Sequence, residues 1–425
     1  MLGLFRKNKA IYDFTRYTES LGIDSGFAPK NVYLKVAEHM CAVGDSVGIG
    51  DTLGYRSDKS SVCTGISGKV AEITPLEGDI FEIRIENDFL STKGSEIVPF
   101  GKRSALKVTE ITVNDIVSEM ERAGVSTRLK SISGKARKLS ERILEANGKA
   151  KQIVVNCASC EPYDSATSLI VSEYACDIIS GMKILMSALK IGEGAIVLDA
   201  EGKKLAHEFE AYIKDTDNIK ILLADLKYPC DNEHIIIHAL TSIEISAYKN
   251  AERVACVVFD VREALSIARS FIYGEKEAGD LVTVSGDVSE AINAYIPYGT
   301  KFSEIISYCG KDMSEETITV QDGLLRGREM SDDDTFEGSL SPIIVLQKDS
   351  VPFFDGVRCI KCGSCVDVCP MMLLPAYLWR AKNLASARRF DVDACIECGA
   401  CQYSCPQRIP ILDNIKKFKT KEGTK

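Results

Sequence analysis

Several features that are common in other proteins are scarce in this sequence of 425 residues. No apolar run approaches the roughly 18 residues that a membrane-spanning helix needs, and the start, MLGLFRKNKAIYDF, lacks the apolar core of a signal peptide. We therefore expect a cytoplasmic protein without a transmembrane segment, in which structural disulfides are not favoured. No nucleophile and base stand in a pattern that predicts hydrolysis.

Histidine and positive charge are also limited. The chain has four histidines, and His234 and His238 are spaced one helical turn apart without the glutamate of an H-E-x-x-H metal site, so we interpret them as packing residues. The net charge of -9 argues against nucleic acid as a general partner. With 45% hydrophobic and 27% charged residues, the composition is that of an ordinary globular protein, and the length suggests about three domains.

Cysteine, in contrast, is abundant, and two copies of one pattern lie near the C-terminus. In each copy three cysteines are separated by two residues, and a fourth follows after three more and precedes a proline. The first copy is Cys359, Cys362, Cys365 and Cys369, and the second is Cys395, Cys398, Cys401 and Cys405. This spacing is typical of proteins with two 4Fe-4S clusters, in which the fourth cysteine ligates the other cluster.

The spacing therefore predicts two cross-ligated clusters. One cluster is assigned to Cys359, Cys362, Cys365 and Cys405, and its neighbour to Cys395, Cys398, Cys401 and Cys369. Structural zinc is the main alternative, but zinc sites usually pair two C-x2-C units or mix cysteine with histidine, and the third cysteine of each copy is surplus to that geometry.

The remaining patterns predict a multidomain α/β protein. Short alternating stretches broken by glycine indicate an all-β module, and alternation of strands and helices then indicates a parallel sheet whose ligand site lies at the carboxyl ends of its strands. The predicted segments are an N-terminal segment (1–26), the β module (27–100), a helical connector (101–150), the parallel α/β domain (151–277), a β-grasp-like module (278–326), a linker (327–354) and a mostly α two-cluster domain (355–425).

The order of these modules resembles the RnfC family, from the Rnf electron-transport complex, and its relatives, the proline-reductase-associated electron-transfer protein and cobalamin reductase. The resemblance is carried by Gly44-Asp45 to Gly68-Lys69, by NCASCEPY (156–163), by Tyr228-Pro229, by GDLVTVSGDV (279–288) and by the cysteine motifs. It implies a barrel-sandwich β module, a Rossmann-like domain, an SLBB-like β-grasp module and a dicluster ferredoxin domain. It also implies a flavoprotein in which NADH reduces FMN and the clusters carry single electrons away.

Two segments depart from the family pattern. The family's glycine-rich flavin loop is similar to GLGGAGFPT, whereas the segment beginning at Ala123-Gly124 reads AGVSTRLKSISGKARKL. Backbone amides cannot approach a flavin as closely through Arg128, Leu129 and Lys130 as through glycine. The family's YPQGGE loop reads YPCDNE at 228–233. We therefore do not expect a working FMN or NADH site.

Three further cysteines follow strand ends. Cys157 and Cys160 come after the first strand of the parallel sheet and Cys230 after the third, so all three are predicted at one edge. One hypothesis is that they replace the flavin with a third iron-sulfur centre or a dithiol, with Cys63 or Cys41 as a fourth ligand. The alternative is that they are buried small hydrophobic residues.

The sequence thus predicts an iron-sulfur electron-transfer protein that connects a redox donor to a partner oxidoreductase, either a terminal reductase or a membrane electron-transport complex. Two other interpretations stay open. One is an FMN-containing, NADH-dependent reductase. The other is a non-catalytic assembly protein whose clusters are structural.

Overall fold

The computed structural model describes residues 21–103, 110–125, 138–159, 161–199, 201–224, 228–243, 256–314, 316–338, 342–350 and 358–419. Its first part is built from short strands, as the sequence predicts. They are β1 (Ile23–Asp24), β2 (Asn31–Val36), β3 (Glu38–His39), β4 (Ser46–Val47), β5 (Thr52–Tyr55), β6 (Ser61–Cys63), β7 (Gly68–Leu76) and β8 (Ile80–Asn87). One antiparallel sheet has the order β2-β8-β7-β4, and a smaller one has the order β3-β5-β6.

Helices α1 (Phe100–Arg103), α2 (Val113–Ala123) and α3 (Leu139–Ala146) follow, and they lead into a four-stranded parallel sheet. The elements of that region are β9 (Gln152–Asn156), α4 (Ala166–Leu189), β10 (Glu193–Asp199), α5 (Ala206–Glu210), β11 (Ile219–Ala224), α6 (Glu233–Thr241), β12 (Cys256–Asp260) and α7 (Val261–Tyr273). The strand order is β11-β10-β9-β12. The predicted alternation of strands and helices is confirmed here, although the segment between β10 and β11 has only the short α5, flanked by 3-10 turns.

Both faces of the parallel sheet are covered. Alternate side chains of β9 divide between two apolar clusters, because successive residues of a strand point to opposite faces. Ile153 and Val155 belong to the cluster that includes residues of α2, α3, α4 and α7, whereas Val154 packs with Ile236 and Ile237 of α6. All four strands run in one direction, so their carboxyl ends share one edge of the sheet.

The next region is β13 (Gly279–Gly286), β14 (Ile292–Pro297), α8 (Phe302–Tyr308), β15 (Thr317–Gln321), β16 (Arg328–Met330) and β17 (Ile343–Gln347). With β1 it forms a six-stranded sheet of order β1-β14-β13-β17-β15-β16. The prediction of a linker over 327–354 is wrong for its described part, since β16 and β17 lie in this sheet and Phe336 is fully buried. This sheet shares one apolar core with β2 and β8.

The C-terminal region is mostly helical, as predicted. Its helices are α9 (Ser364–Asp367), α10 (Pro375–Arg380), α11 (Leu384–Arg388), α12 (Ala400–Tyr403) and α13 (Ile411–Lys419). Across the described ranges, no helix is both long enough and apolar enough to cross a bilayer.

Candidate functional site

The eight motif cysteines line two separate cavities in the C-terminal region. A cavity of about 280 Å³ is lined by Cys359, Cys362, Cys365 and Cys405, here called the outer set. A smaller cavity, of about 20 Å³, is lined by Cys369, Cys395, Cys398 and Cys401, here called the inner set. Each set thus takes three cysteines from one motif and the fourth from the other, which is the grouping that the spacing predicts.

The two motifs have the same backbone pattern, which explains how three sulfur atoms of a short loop can turn inward. Lys361 and Gly363 of the first motif have φ angles of 60° and 87°, and Glu397 and Gly399 of the second have 56° and 77°. These left-handed residues alternate with the cysteines and bend the chain tightly around each cavity. The third cysteine of each motif then lies on a short helix, α9 or α12.

The two sets differ in burial. Burial raises the pKa of the thiols of Cys395 and Cys398 in the inner set, to about 11 and about 12. In the outer set Cys362 is exposed, and a hydrogen bond with the Ser364 hydroxyl lowers its pKa. The sets adjoin, because Cys365 and Cys405 of the outer set and Cys401 of the inner set belong to one apolar cluster. The outer set therefore reaches the surface at Cys362, whereas no cysteine of the inner set is exposed.

The thiol sets fit iron-sulfur clusters better than single zinc ions. Four sulfur atoms around one zinc ion lie only about 4 Å apart, since each Zn–S bond is about 2.3 Å. Within the described part of the chain, no group of three or more histidine, cysteine or acidic side chains is arranged to hold one metal ion. A cubane separates its four cysteines further, and the outer cavity of about 280 Å³ has room for that larger group.

A buried group of charges lies at the carboxyl edge of the parallel sheet. Arg326, in the loop after β15, donates from Nη1 to Asp231 Oδ1 at 3.3 Å and from Nη2 to Asp231 Oδ2. Its Nη2 atom also lies 2.8 Å from Glu161 Oε1. Neither carboxylate oxygen of Glu161 accepts a hydrogen bond with regular geometry from the described residues. Burial raises the pKa of Glu161 to about 7, against the lowering effect of Arg326. These three residues are called the Arg326 network.

The inner set packs directly against this edge. The Tyr228 hydroxyl donates to the Cys398 carbonyl at 2.7 Å, and Tyr228, Cys398 and Ala400 form an apolar cluster with Leu325. A β-carbon on Gly399 would lie 1.8 Å from the Leu325 carbonyl oxygen, so only glycine permits this approach. The loop that carries Arg326 therefore lies between the parallel sheet and the inner set.

Arg326 and Glu161 were not predicted as site residues from the sequence. Residues 161, 231 and 326 come from three loops that are far apart in sequence, and no spacing rule connects them. The one local indication is the segment Gly323-Leu-Leu-Arg326-Gly327, in which a single charge follows two leucines between glycines.

The three cysteines proposed to replace a flavin do not form a set of free thiols. Cys157 is 3% exposed in the apolar core shared with Val155, and burial, followed by the charge of Asp260, raises its pKa well above the ordinary value. Cys230 is fully buried and disulfide-bonded, whereas Cys157, Cys63 and Cys41 are free. Cys160 lies outside the described residues.

Because its sulfur atom is in a disulfide, Cys230 cannot be a thiolate ligand of a third cluster in this structure. The position of these cysteines after strand ends predicted the correct edge of the sheet. It did not predict the face of the sheet on which each side chain lies. The Asn156 side chain donates to the Cys230 carbonyl at 3.1 Å, while the next residue, Cys157, packs into the core on the other face of the sheet. The alternative of a buried small hydrophobic residue fits Cys157.

The described residues of the sheet edge do not fit the phosphate of a flavin nucleotide. In folds of this kind the phosphate binds backbone amides at the N-terminus of the helix after the first strand. Here the amides of Ser165 and Ala166, at the start of α4, donate to Thr283 Oγ1, and Ala166 also donates to Asp164 Oδ1. The carboxylates of Asp164 and Glu161 would repel an anion. Of the expected flavin loop, residues 126–137 lie outside the described residues.

Comparison with known proteins identifies two families. Residues 120–269 match the Nuo51 FMN-binding domain, and residues 358–409 match the 4Fe-4S dicluster domain. Two NAD⁺-reducing [NiFe]-hydrogenase structures are similar at TM-scores of 0.46 and 0.48, with 15% and 14% identity. The alignments cover 59% and 77% of this chain, and 49% and 57% of the solved chains, so it spans about half the length of those chains.

Curated relatives match most of the chain. The RnfC-type protein of the Na⁺-translocating ferredoxin:NAD⁺ oxidoreductase complex of Acetobacterium woodii is 26% identical, over 84% of this chain and 82% of the relative. Its counterpart in the proton-translocating complex of Clostridium ljungdahlii is 27% identical, over 89% and 84%. The counterpart in an ion-translocating oxidoreductase complex of Haemophilus influenzae is 24% identical, over 64% and 41%. The chain is therefore an RnfC-like protein, related over most of its length to the RnfC proteins of ion-translocating oxidoreductases and carrying a 4Fe-4S dicluster domain.

Proposed function

We propose that this protein is an iron-sulfur electron relay that works without a flavin or nicotinamide site of its own. A donor that docks near the carboxyl edge of the parallel sheet would reduce the cluster held by the inner set, and the electron would then pass to the cluster held by the outer set and on to a partner oxidoreductase. The observation that carries this proposal is the order of the two thiol sets, one buried against the sheet edge and one open to the surface. The relatives' place in ion-translocating complexes supports a membrane complex as the partner.

The chain's own residues supply the scaffold for this transfer. When bound, 4Fe-4S clusters accept and release single electrons. The inner thiols lie in an apolar pocket that excludes water, and the membership of Cys365 and Cys401 in one apolar cluster keeps the two sets adjacent. The finer domain assignments, a Rossmann-like domain and barrel-sandwich and SLBB-like modules, belong to this proposal because the family resemblance supports them.

The first experiment is to measure iron, acid-labile sulfide and FMN on one anaerobically purified sample of the full chain. We expect about eight irons and eight sulfides per chain and no FMN. About twelve irons would contradict the two-cluster proposal and restore the third centre near Cys157, Cys160 and Cys230.

The second candidate function is an FMN-containing, NADH-dependent reductase, which the match of residues 120–269 to the FMN-binding family favours. One FMN per chain, together with cluster bleaching on addition of NADH alone, would establish that function and overturn the relay proposal. Reduction by dithionite but not by NADH is the result expected of a relay.

We further propose that the partner beyond the outer set is an acidic, one-electron protein carrier. Among the described residues, the outer cavity is lined by Lys361 and Arg380 and by no aspartate or glutamate, and Ile360 and Tyr377 beside it are 58% and 51% exposed. Lysine and arginine outnumber acidic residues between 358 and 419, although the whole chain carries a net charge of -9. A basic rim around an apolar patch matches an acidic partner surface.

The charge-reversed variant Lys361→Glu/Arg380→Glu tests this surface. With an acidic 2Fe-2S ferredoxin as the probe acceptor, we expect electron transfer at low salt to slow by about tenfold or more, with unchanged iron content. The matched control Lys59→Glu/Lys69→Glu, which makes the same charge change in the N-terminal β region, should keep the original rate. Equal rates for the reversed variant and the original protein would contradict the proposal, as would a rate that rises with salt in the original protein.

A further inference from the structure

We propose that the Arg326 network sets the reduction potential of the cluster held by the inner set, with Arg326 raising it and the carboxylates of Asp231 and Glu161 lowering it. This inference rests on the proposed function, since it requires the inner set to hold a cluster. It assigns to residues outside the cysteine motifs a positioning and electrostatic role that determines how readily the inner cluster accepts an electron.

The first support is the way in which Arg326 is fixed in place. The Leu325 carbonyl oxygen contacts Gly399 between Cys398 and Ala400, and a β-carbon on Gly323 would lie 2.4 Å from Glu161 Oε2. The loop of Arg326 is therefore held on one side by the inner set and on the other by the sheet edge. The two hydrogen bonds to Asp231 fix the guanidinium itself in a bidentate arrangement.

The second support is the balance of charge in this buried place. The Arg326 and Glu161 side chains are 16% and 6% exposed, so their charges are weakly screened by water. Arg326 lies close to the inner set, since a β-carbon on Gly399 would lie 3.4 Å from the Arg326 amide nitrogen. Among the described residues, one arginine faces the two carboxylates of Asp231 and Glu161 here.

The charge of each of these side chains determines whether it raises or lowers the reduction potential of the inner cluster. Reduction adds one electron to the cluster, and no bond forms and no proton is required. A nearby positive charge stabilises the added negative charge and raises the potential, and a nearby carboxylate lowers it. The outer set opens to solvent at Cys362, so the same network influences it less.

The test is a redox titration of the full chain, loaded with both clusters and followed by electron paramagnetic resonance. Of the two midpoint potentials, we expect Arg326→Gln to make one more negative and Asp231→Asn and Glu161→Gln to make that same one less negative. Arg326→Lys keeps the charge and should stay close to the original protein. The matched control Arg380→Gln removes an exposed positive charge beside the outer set and should not move that potential.

Shifts of the same sign in Arg326→Gln and Asp231→Asn would overturn the inference, and so would equal movement of both potentials or no movement. If Arg326→Gln fails to fold, Asp231→Asn and Glu161→Gln alone decide the outcome, because they preserve side-chain shape. Iron content near eight atoms and two one-electron reductions in each folded variant would show that the relay is intact, so a failure of this inference is distinguishable from a failure of the proposed function.

Discussion

Replacing Cys369 by alanine is expected to remove the cluster of the inner set and to lower the iron content from about eight atoms per chain to about four. Cys369 belongs to the first motif in sequence, yet it lines the cavity of the second motif's first three cysteines. Loss of one of four thiolates leaves one iron without its protein ligand, and the apolar pocket of the inner set offers no replacement.

Double variants show which cysteines share a cluster. Cys369→Ala/Cys398→Ala should keep about four irons, because both substitutions affect one cluster, whereas Cys369→Ala/Cys362→Ala should keep almost none. The exposed Cys176 belongs to neither set, and Cys176→Ala is the control that should keep about eight irons. The opposite result, with about four irons in Cys369→Ala/Cys362→Ala, would mean that each motif ligates its own cluster.

The three cysteines that each set takes from one motif could be predicted from sequence because their geometry is local. Three thiols within seven residues must lie in one loop, and the internal repeat places a second loop of the same kind nearby. The strands of the parallel sheet were also predictable, since QIVVN and its counterparts are uninterrupted apolar runs, as expected of strands buried on both faces. Neither the cysteine loops nor the strands had to be inferred from contacts between residues that are far apart in the sequence.

The features of the structure that were not predicted from the sequence depend on tertiary contacts. The acidic stretch 327–339 indicated a linker, yet Met330 and Phe336 within it are buried in the core of the six-stranded sheet. Two apolar residues among acidic ones carry too little pattern to reveal a strand. The Arg326 network was missed for the same reason, because it joins three loops through charge and not through spacing.

The buried ion pair between Arg142 and Glu263 is the contact for which we expect the largest effect on stability. Arg142 Nη1 lies 2.8 Å from Glu263 Oε1 and 3.1 Å from Oε2, and the side chains are 3% and 0% exposed. Arg142 Nη2 also donates to the Val258 carbonyl, and Glu263 accepts from the Asp260 amide at 2.9 Å. The pair thus joins α3 to the end of β12 and the start of α7.

Arg142→Met should lower the free energy of unfolding by about 3–5 kcal/mol, because Glu263 would stay buried without its charged partner. The measurement is urea unfolding followed by far-ultraviolet circular dichroism. The control Arg84→Met breaks the exposed pair with Glu72, in which the side chains are 32% and 58% exposed, and should cost at most about 1 kcal/mol. A cost for Arg142→Met no larger than for Arg84→Met would contradict this assignment.

The double variant Arg142→Met/Glu263→Gln separates the ion pair from the packing of the arginine stem. Neutralising Glu263 removes the uncompensated charge, so the double variant should be more stable than Arg142→Met alone. The result also bears on the sheet edge. Helix α3 begins one residue after Lys138, and Asp260 at the carboxyl end of β12 caps α7. The buried pair therefore fixes α3 relative to the end of β12 and the start of α7.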